Sequence, residues 1–227
     1  MTKAHWQRLG LTLLAGLSMI FLNFESNEHD QGSIPFIVSL FLLFLALDGA
    51  GPRWGFRLGF IWGVLSYGIT LSWMWTIFQG ISAGLWSILA FFPAVFGAWF
   101  GTVTRDGSPA PAKTPSWRAR NRGPWWAPPT AALVWTGLEY FRCEWFILRF
   151  PWITPGTIMR PNFLTPIVGT YGITLLIMLL VAGVTCNRPR PKNHALFLGI
   201  FLAIFFGLIV IRETTPSPVS PSPEHAH

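Results

Sequence analysis

Three stretches of this chain, 58–77, 83–103 and 163–186, each run for about 20 residues or more without an Asp, Glu, Lys or Arg. A helix rises 1.5 Å per residue, so about 20 residues cross the roughly 30 Å hydrocarbon core of a bilayer. A soluble domain has no use for uncharged runs of that length in succession. Further apolar runs at 9–24, 34–47, 127–148 and 194–211 bring the candidate segments to about seven. The first two are short, and 34–47 has the length of a re-entrant or partly buried helix, so the pair reads either as two spans or as a short hairpin. The expected fold is all-α, a polytopic helical membrane bundle.

Composition points the same way. With 52% hydrophobic and 11% charged residues, the chain lacks the charge to cover a water-soluble surface. A net charge of +7 would suit nucleic acid if it were gathered on one face. The basic residues instead sit in short loops between apolar runs, which is a topology signal and excludes a nucleic-acid partner. Lys3, Arg8, Arg53, Arg57, Arg105, Lys113, Arg118, Arg120, Arg122, Arg188, Arg190 and Lys192 fall on one side, which the positive-inside rule makes cytoplasmic. Glu25, Glu28, Asp30, Glu139, Glu144, Glu213 and Glu224 fall on the other side or toward it. The N-terminus is therefore expected inside and the C-terminus outside, whether or not the first two segments cross. Lys3 and Arg8 before an apolar run resemble a secretory signal, but no small-residue cleavage site leads into soluble sequence, so a retained first span is expected.

The loop 104–126, rich in Pro, Gly, Arg and Trp, reads as a cytoplasmic surface loop. Its Trp117, Trp125 and Trp126, like Trp54, Trp73, Trp75, Trp86 and Trp99 near segment ends, read as interfacial anchors rather than as a ligand site. The stretch 212–227 is Pro/Ser-rich and expected to be a disordered tail; its His225 and His227 have no companions that would make a metal site. Cys143 and Cys186 lie in separate segments with no CxxC or Cys/His spacing, so neither a metal nor a disulfide framework is expected, and nothing calls for a cofactor.

The chemistry is concentrated between 135 and 183. Trp135, Glu139 and Arg142 are spaced i, i+4, i+7 and share one helix face. Entering from Ala127, Glu139 lies about 18 Å into the core, past the midplane, where an ionised carboxylate needs a partner and Arg142 one turn on is in reach. Glu144 and Arg149 continue the charges outward. Phe150-Pro151-Trp152, Pro155-Gly156 and Arg160-Pro161 then forbid a regular helix. Such backbone survives near a bilayer only where protein or water covers it, and an outward-facing cavity rimmed by arginines would suit an anionic phospholipid headgroup. The competing reading is a charge pair that fixes helix packing beneath an aromatic cap, with Glu144 simply solvated. Cys143 is not a nucleophile on this reading: only Glu139 shares its face, no lysine or histidine lies near to activate it, and a small apolar-like role suffices.

The order W-x-x-x-E-x-x-R (Trp135, Glu139, Arg142), F-P-W (Phe150, Pro151, Trp152) and G-x-Y-G (Gly169, Tyr171, Gly172) resembles the membrane domain of apolipoprotein N-acyltransferases. Phe56, Arg57, Gly59, Phe60, Gly63 and Trp73 are similar to that family's third span, and the resemblance covers most of 9–211. It implies a multi-pass protein of the bacterial inner membrane, in the pathway that passes an acyl chain from a phospholipid to the amino group of a lipoprotein's diacylglyceryl-cysteine. In that family the acyl chain rests as a thioester on a cysteine that works with a glutamate and a lysine in a periplasmic nitrilase-like domain. No position in this sequence matches that set, which leaves no catalytic residue to carry over. The resemblance thus implies a membrane domain over 1–211 whose Trp135, Glu139, Arg142, Arg149, Phe150, Pro151, Trp152 and Tyr171 hold a phospholipid, a lipoprotein or a nitrilase-like protein acting in trans. The alternatives are a non-catalytic lipid-binding membrane protein and a remnant without activity. A solute transporter fits less well, because no internal repeat with paired broken spans is seen.

Overall fold

The computed structural model describes residues 3–20, 33–104, 126–159 and 164–186. The chain divides into two units, Met1–Arg188 and Pro189–His227. The second unit, the expected segment 194–211 and tail within it, and the basic residues of 105–125 lie outside the described residues.

The described residues contain helices and no strand: α1 Lys3–Leu17, α2 Ser33–Leu47, α3 Pro52–Thr70, α4 Trp73–Phe78, α5 Gly80–Val103, α6 Ala127–Tyr140, α7 Pro155–Ile158 and α8 Thr165–Cys186. Over the described residues the expectation of an all-α fold holds. Two of these helices, α5 and α8, are long and apolar enough to cross a membrane. Several boundaries differ from those that hydropathy suggests. α1 begins at Lys3, and α3 takes in Arg53 and Arg57, because a helix does not stop where its apolar part stops and Pro52 is suited to a first turn. The run 58–77 is not one helix. α3 ends at Thr70, and the short α4 closes on Gln79, a non-glycine residue at φ 47°.

α3 and α5 form the closest helix pair. Gly55, Gly59 and Gly63 recur every four residues along one face of α3 and meet Gly97, Pro93 and Ala90 of the antiparallel α5. A Cβ on Gly55 would lie 2.0 Å from Gly97 O, and one on Gly59 would lie 2.2 Å from Pro93 O. Backbones can approach so closely only where side chains are absent, as in small-residue interfaces between membrane helices. The contact continues past the helix start, where Gly51 N donates to Gly101 O over 3.1 Å.

An aromatic core joins the remaining elements. Phe44 of α2 packs edge-on to Phe100, with centroids 4.9 Å apart, and Trp135 of α6 meets Phe96 at the same separation and Trp62 of α3 at 6.0 Å. Trp62 Nε1 donates to Ser39 Oγ over 2.8 Å, and Ser39 Oγ donates to Ala15 O, so one polar chain ties α1, α2 and α3. The antiparallel path gives the unit two unlike ends. At one, His5 stacks on Trp54 and Arg57 lies 5.5 Å from the centre of the same ring. At the other, α4 meets the segment after α6 through Trp73 and Trp152, 6.4 Å apart.

Candidate functional site

α6 carries Trp135 and Glu139 inward on successive turns and then widens into a π-helical turn, Phe141–Trp145, closed by Phe146 N donating to Phe141 O over 2.8 Å. Wide turns of this kind reposition the side chains that follow them. Glu139 and Arg142 are buried, at 5% and 3% exposure. Glu139 Oε1 accepts from Thr174 Oγ1 of α8 over 2.9 Å, and Oε2 accepts from Trp135 Nε1 over 3.3 Å. Thr174 Oγ1 in turn accepts from Gly156 N over 3.0 Å. A Cβ at Gly156 would fall 2.0 Å from Thr170 O, so the absence of a side chain there lets α7 reach α8. α7 is held by a reciprocal cap between Thr154 and Thr157. The carboxylate therefore anchors the proline-broken segment to α6 and α8.

Arg142 acts on the Glu139 charge electrostatically, while its own hydrogen bond is made elsewhere. The π turn directs it to α3, where Nη1 donates to Tyr67 Oη over 2.6 Å and the guanidinium lies 5.5 Å from the ring centre. Both charged groups face a chamber of about 30 Å³, shared with Ser66 and Tyr67 of α3 and closed on the loop side by Ile153 and Pro155. Ile153 holds φ at 60°, an uncommon conformation for a β-branched residue. A chamber of this size admits a water or two, whereas organic ligand pockets run to several hundred Å³.

The eight residues singled out in the sequence thus separate. Trp135, Glu139 and Arg142 converge on the chamber. Phe150 turns inward against Tyr67, Leu71 and Leu89. Arg149, at φ 38°, and Pro151 are exposed, and Trp152 is 55% exposed. Tyr171 stands apart and donates from Oη to Glu144 Oε1 over 2.7 Å, so Glu144 is exposed but bonded. Trp152 meets Trp73, and both are exposed, as are Trp75 of α4 and Trp145, Ile147 and Leu148 of the segment after α6, which gives these two segments an aromatic rim. Cys143 is buried and its Sγ donates to Phe150 O over 3.4 Å. Among the described residues no three His, Cys, Asp or Glu side chains gather where a metal could sit.

Ser66, Tyr67 and Thr174 belong to the site, and residue spacing does not single them out. A signal for them is nonetheless present: hydroxyls inside apolar runs need partners, and Tyr67 and Thr174 find theirs in the charges of Arg142 and Glu139.

Residues 29–183 match the family described as apolipoprotein N-acyltransferase N-terminal domain. The chain belongs to this family. The matched stretch of the N-acyltransferase N-terminal domain contains α2 to α7, most of α8 and every residue of the chamber. Among full-length relatives, the apolipoprotein N-acyltransferase of Photobacterium profundum is 30% identical over 96% of this chain and 42% of its own length. That of Nitrosomonas europaea is 26% identical over 92% of this chain and 40% of its own length. That of Geobacter metallireducens is 27% identical over 70% of this chain and 32% of its own. The chain therefore spans less than half the length of these relatives.

Proposed function

We propose that this chain is a multi-pass domain of the bacterial inner membrane that serves lipoprotein maturation by holding lipid at its aromatic end. The covalent acyl transfer belongs to a nitrilase-like partner. The basic end, with Arg53 and Arg57, faces the cytoplasm, and the aromatic rim faces the outer leaflet. The observation that carries this reading is the rim itself: Trp73 and Trp152 meet and are exposed, and Arg149 is exposed three residues before Trp152, on a segment tied to α8 and α6 through Gly156, Thr174 and Glu139. Tryptophan suits headgroup depth, and the accessible guanidinium of Arg149 suits a phosphodiester. Lipid would be met at this rim rather than in the chamber, which is too small for a headgroup.

The described residues offer no activated nucleophile, since Cys143 is buried and bonded to a backbone carbonyl. The test is a lipoprotein acylation assay in phospholipid vesicles, with the purified chain alone and with a nitrilase-like protein added in trans. The expected outcome is no turnover alone and turnover with the added protein, reduced by Arg149→Ala together with Trp152→Ala. Turnover by the chain alone would refute the division of labour. Lipid co-purification without turnover in either mixture would favour a non-catalytic lipid-binding protein.

A further inference from the structure

We infer that the chamber between α3 and the end of α6 is a hydration site, where ordered water bridges Ser66 to Glu139, Arg142 and Tyr67. Ser66 is 1% exposed, lines the chamber, and its Oγ has no hydrogen-bond partner within the protein. Buried hydroxyls are almost always bonded, and in a hydrocarbon surround the requirement is stricter still. The neighbouring groups have capacity to match. Tyr67 Oη accepts from Arg142 and retains its own proton to donate. Arg142 carries five N–H donors, and the Glu139 carboxylate can accept beyond its bonds from Trp135 and Thr174. Water, with two protons and two lone pairs, suits a mixed set of donors and acceptors that no single side chain in reach satisfies.

The volume decides between ligand classes. About 30 Å³ accommodates one or two waters and excludes a phosphate-bearing or acyl ligand. Phe36, Phe92 and Ile153 line the chamber beside these polar groups. Apart from the Arg142–Tyr67 bond, this water is the polar link from α3 to the π turn, and Ser66 acts as a positioning residue through it. The inference does not rest on lipid handling and stands or falls separately from it.

Two measurements on the full chain in lipid bilayers test it. Water-edited solid-state NMR should show magnetisation from water reaching Ser66 and Tyr67 several-fold faster than Leu58 and Leu89, which are fully buried in the same helix pair. Thermal unfolding should show Ser66→Ala lowering Tm by about 2–4 °C, the loss of roughly one bridging bond, while Ser66→Thr stays near wild type. A dry chamber predicts the opposite sign, because Ser66→Ala then removes an unbonded hydroxyl and raises Tm. A raised or unchanged Tm would overturn the inference, and so would slow transfer to Ser66. If Ser66→Ala does not fold, the NMR measurement on the wild-type chain decides alone.

Discussion

Tyr67 is the residue on which the buried arginine depends. Its hydroxyl lies 2.6 Å from Arg142 Nη1, in a buried setting of low dielectric where such a bond is strengthened. Tyr67→Phe keeps the ring, and with it the contact to the guanidinium, but removes the acceptor. Polar pairs between membrane helices average about 0.6 kcal/mol and reach about 1.7, and those to a charged group lie at the upper end. Tyr67→Phe should therefore cost about 1–2 kcal/mol in reversible unfolding, and Arg142→Met in the same background should cost little more. Additive losses from the two substitutions would show that they do not act as a pair. At this scale the sequence is only partly legible. The i, i+4 relation of Trp135 and Glu139 correctly places them together, because α6 is regular that far. The Glu139–Arg142 relation is legible only in part: the two charges interact, but the π turn at Phe141–Trp145, which leaves no mark in residue spacing, carries the arginine's hydrogen bond to Tyr67.

Among the helices, α3 and α5 are set by glycines, and two substitutions of the same kind should differ in sign. Gly59→Ala places a methyl 2.2 Å from Pro93 O, a backbone atom that cannot rotate away, so the helices must part. Overpacking of this kind costs about 1–3 kcal/mol. Gly137 lies inside α6, and a methyl added there would meet nothing within 4 Å. Gly137→Ala should therefore stabilise by about 0.5–1 kcal/mol through helix propensity alone. Unfolding of the two variants in one detergent checks both; a neutral Gly59→Ala would mean that the α3–α5 approach is looser than described. The helical type of the segments within 33–104 follows from uncharged runs. The division of 58–77 into α3 and α4 does not, because both sides of the break at Leu71–Ser72 are apolar and hydropathy is blind to it. The polar Gln79 beside Gly80 is the visible trace of the second break, since it interrupts an otherwise apolar stretch where α4 gives way to α5.

For the molecule as a whole, the two unlike ends make orientation a measurable property. α3 spans about 25 Å from Arg53 to Thr70 at 1.5 Å per residue, close to the thickness of a hydrocarbon core. If Arg53 lies at the cytoplasmic surface, the rim around Trp152 is then near the opposite one. Arg53 and Pro151 are both exposed, so a cysteine at either position is accessible to a reagent on its own side. Cys143 is buried and Cys186 half-buried, which keeps the native background low and measurable in the unsubstituted chain. With a membrane-impermeant maleimide on spheroplasts, Pro151→Cys should label directly and Arg53→Cys only after permeabilisation. The reverse pattern would put Arg149 and the aromatic rim in the cytoplasm, away from the leaflet where a periplasmic partner could meet lipid. Labelling of both before permeabilisation would mean that α3 does not cross, and the two-ended membrane reading would fail with it. Positive charge in the loops predicts the first pattern, and the antiparallel packing of α3 on α5 requires that whichever side Arg53 takes, Gly101 takes it too.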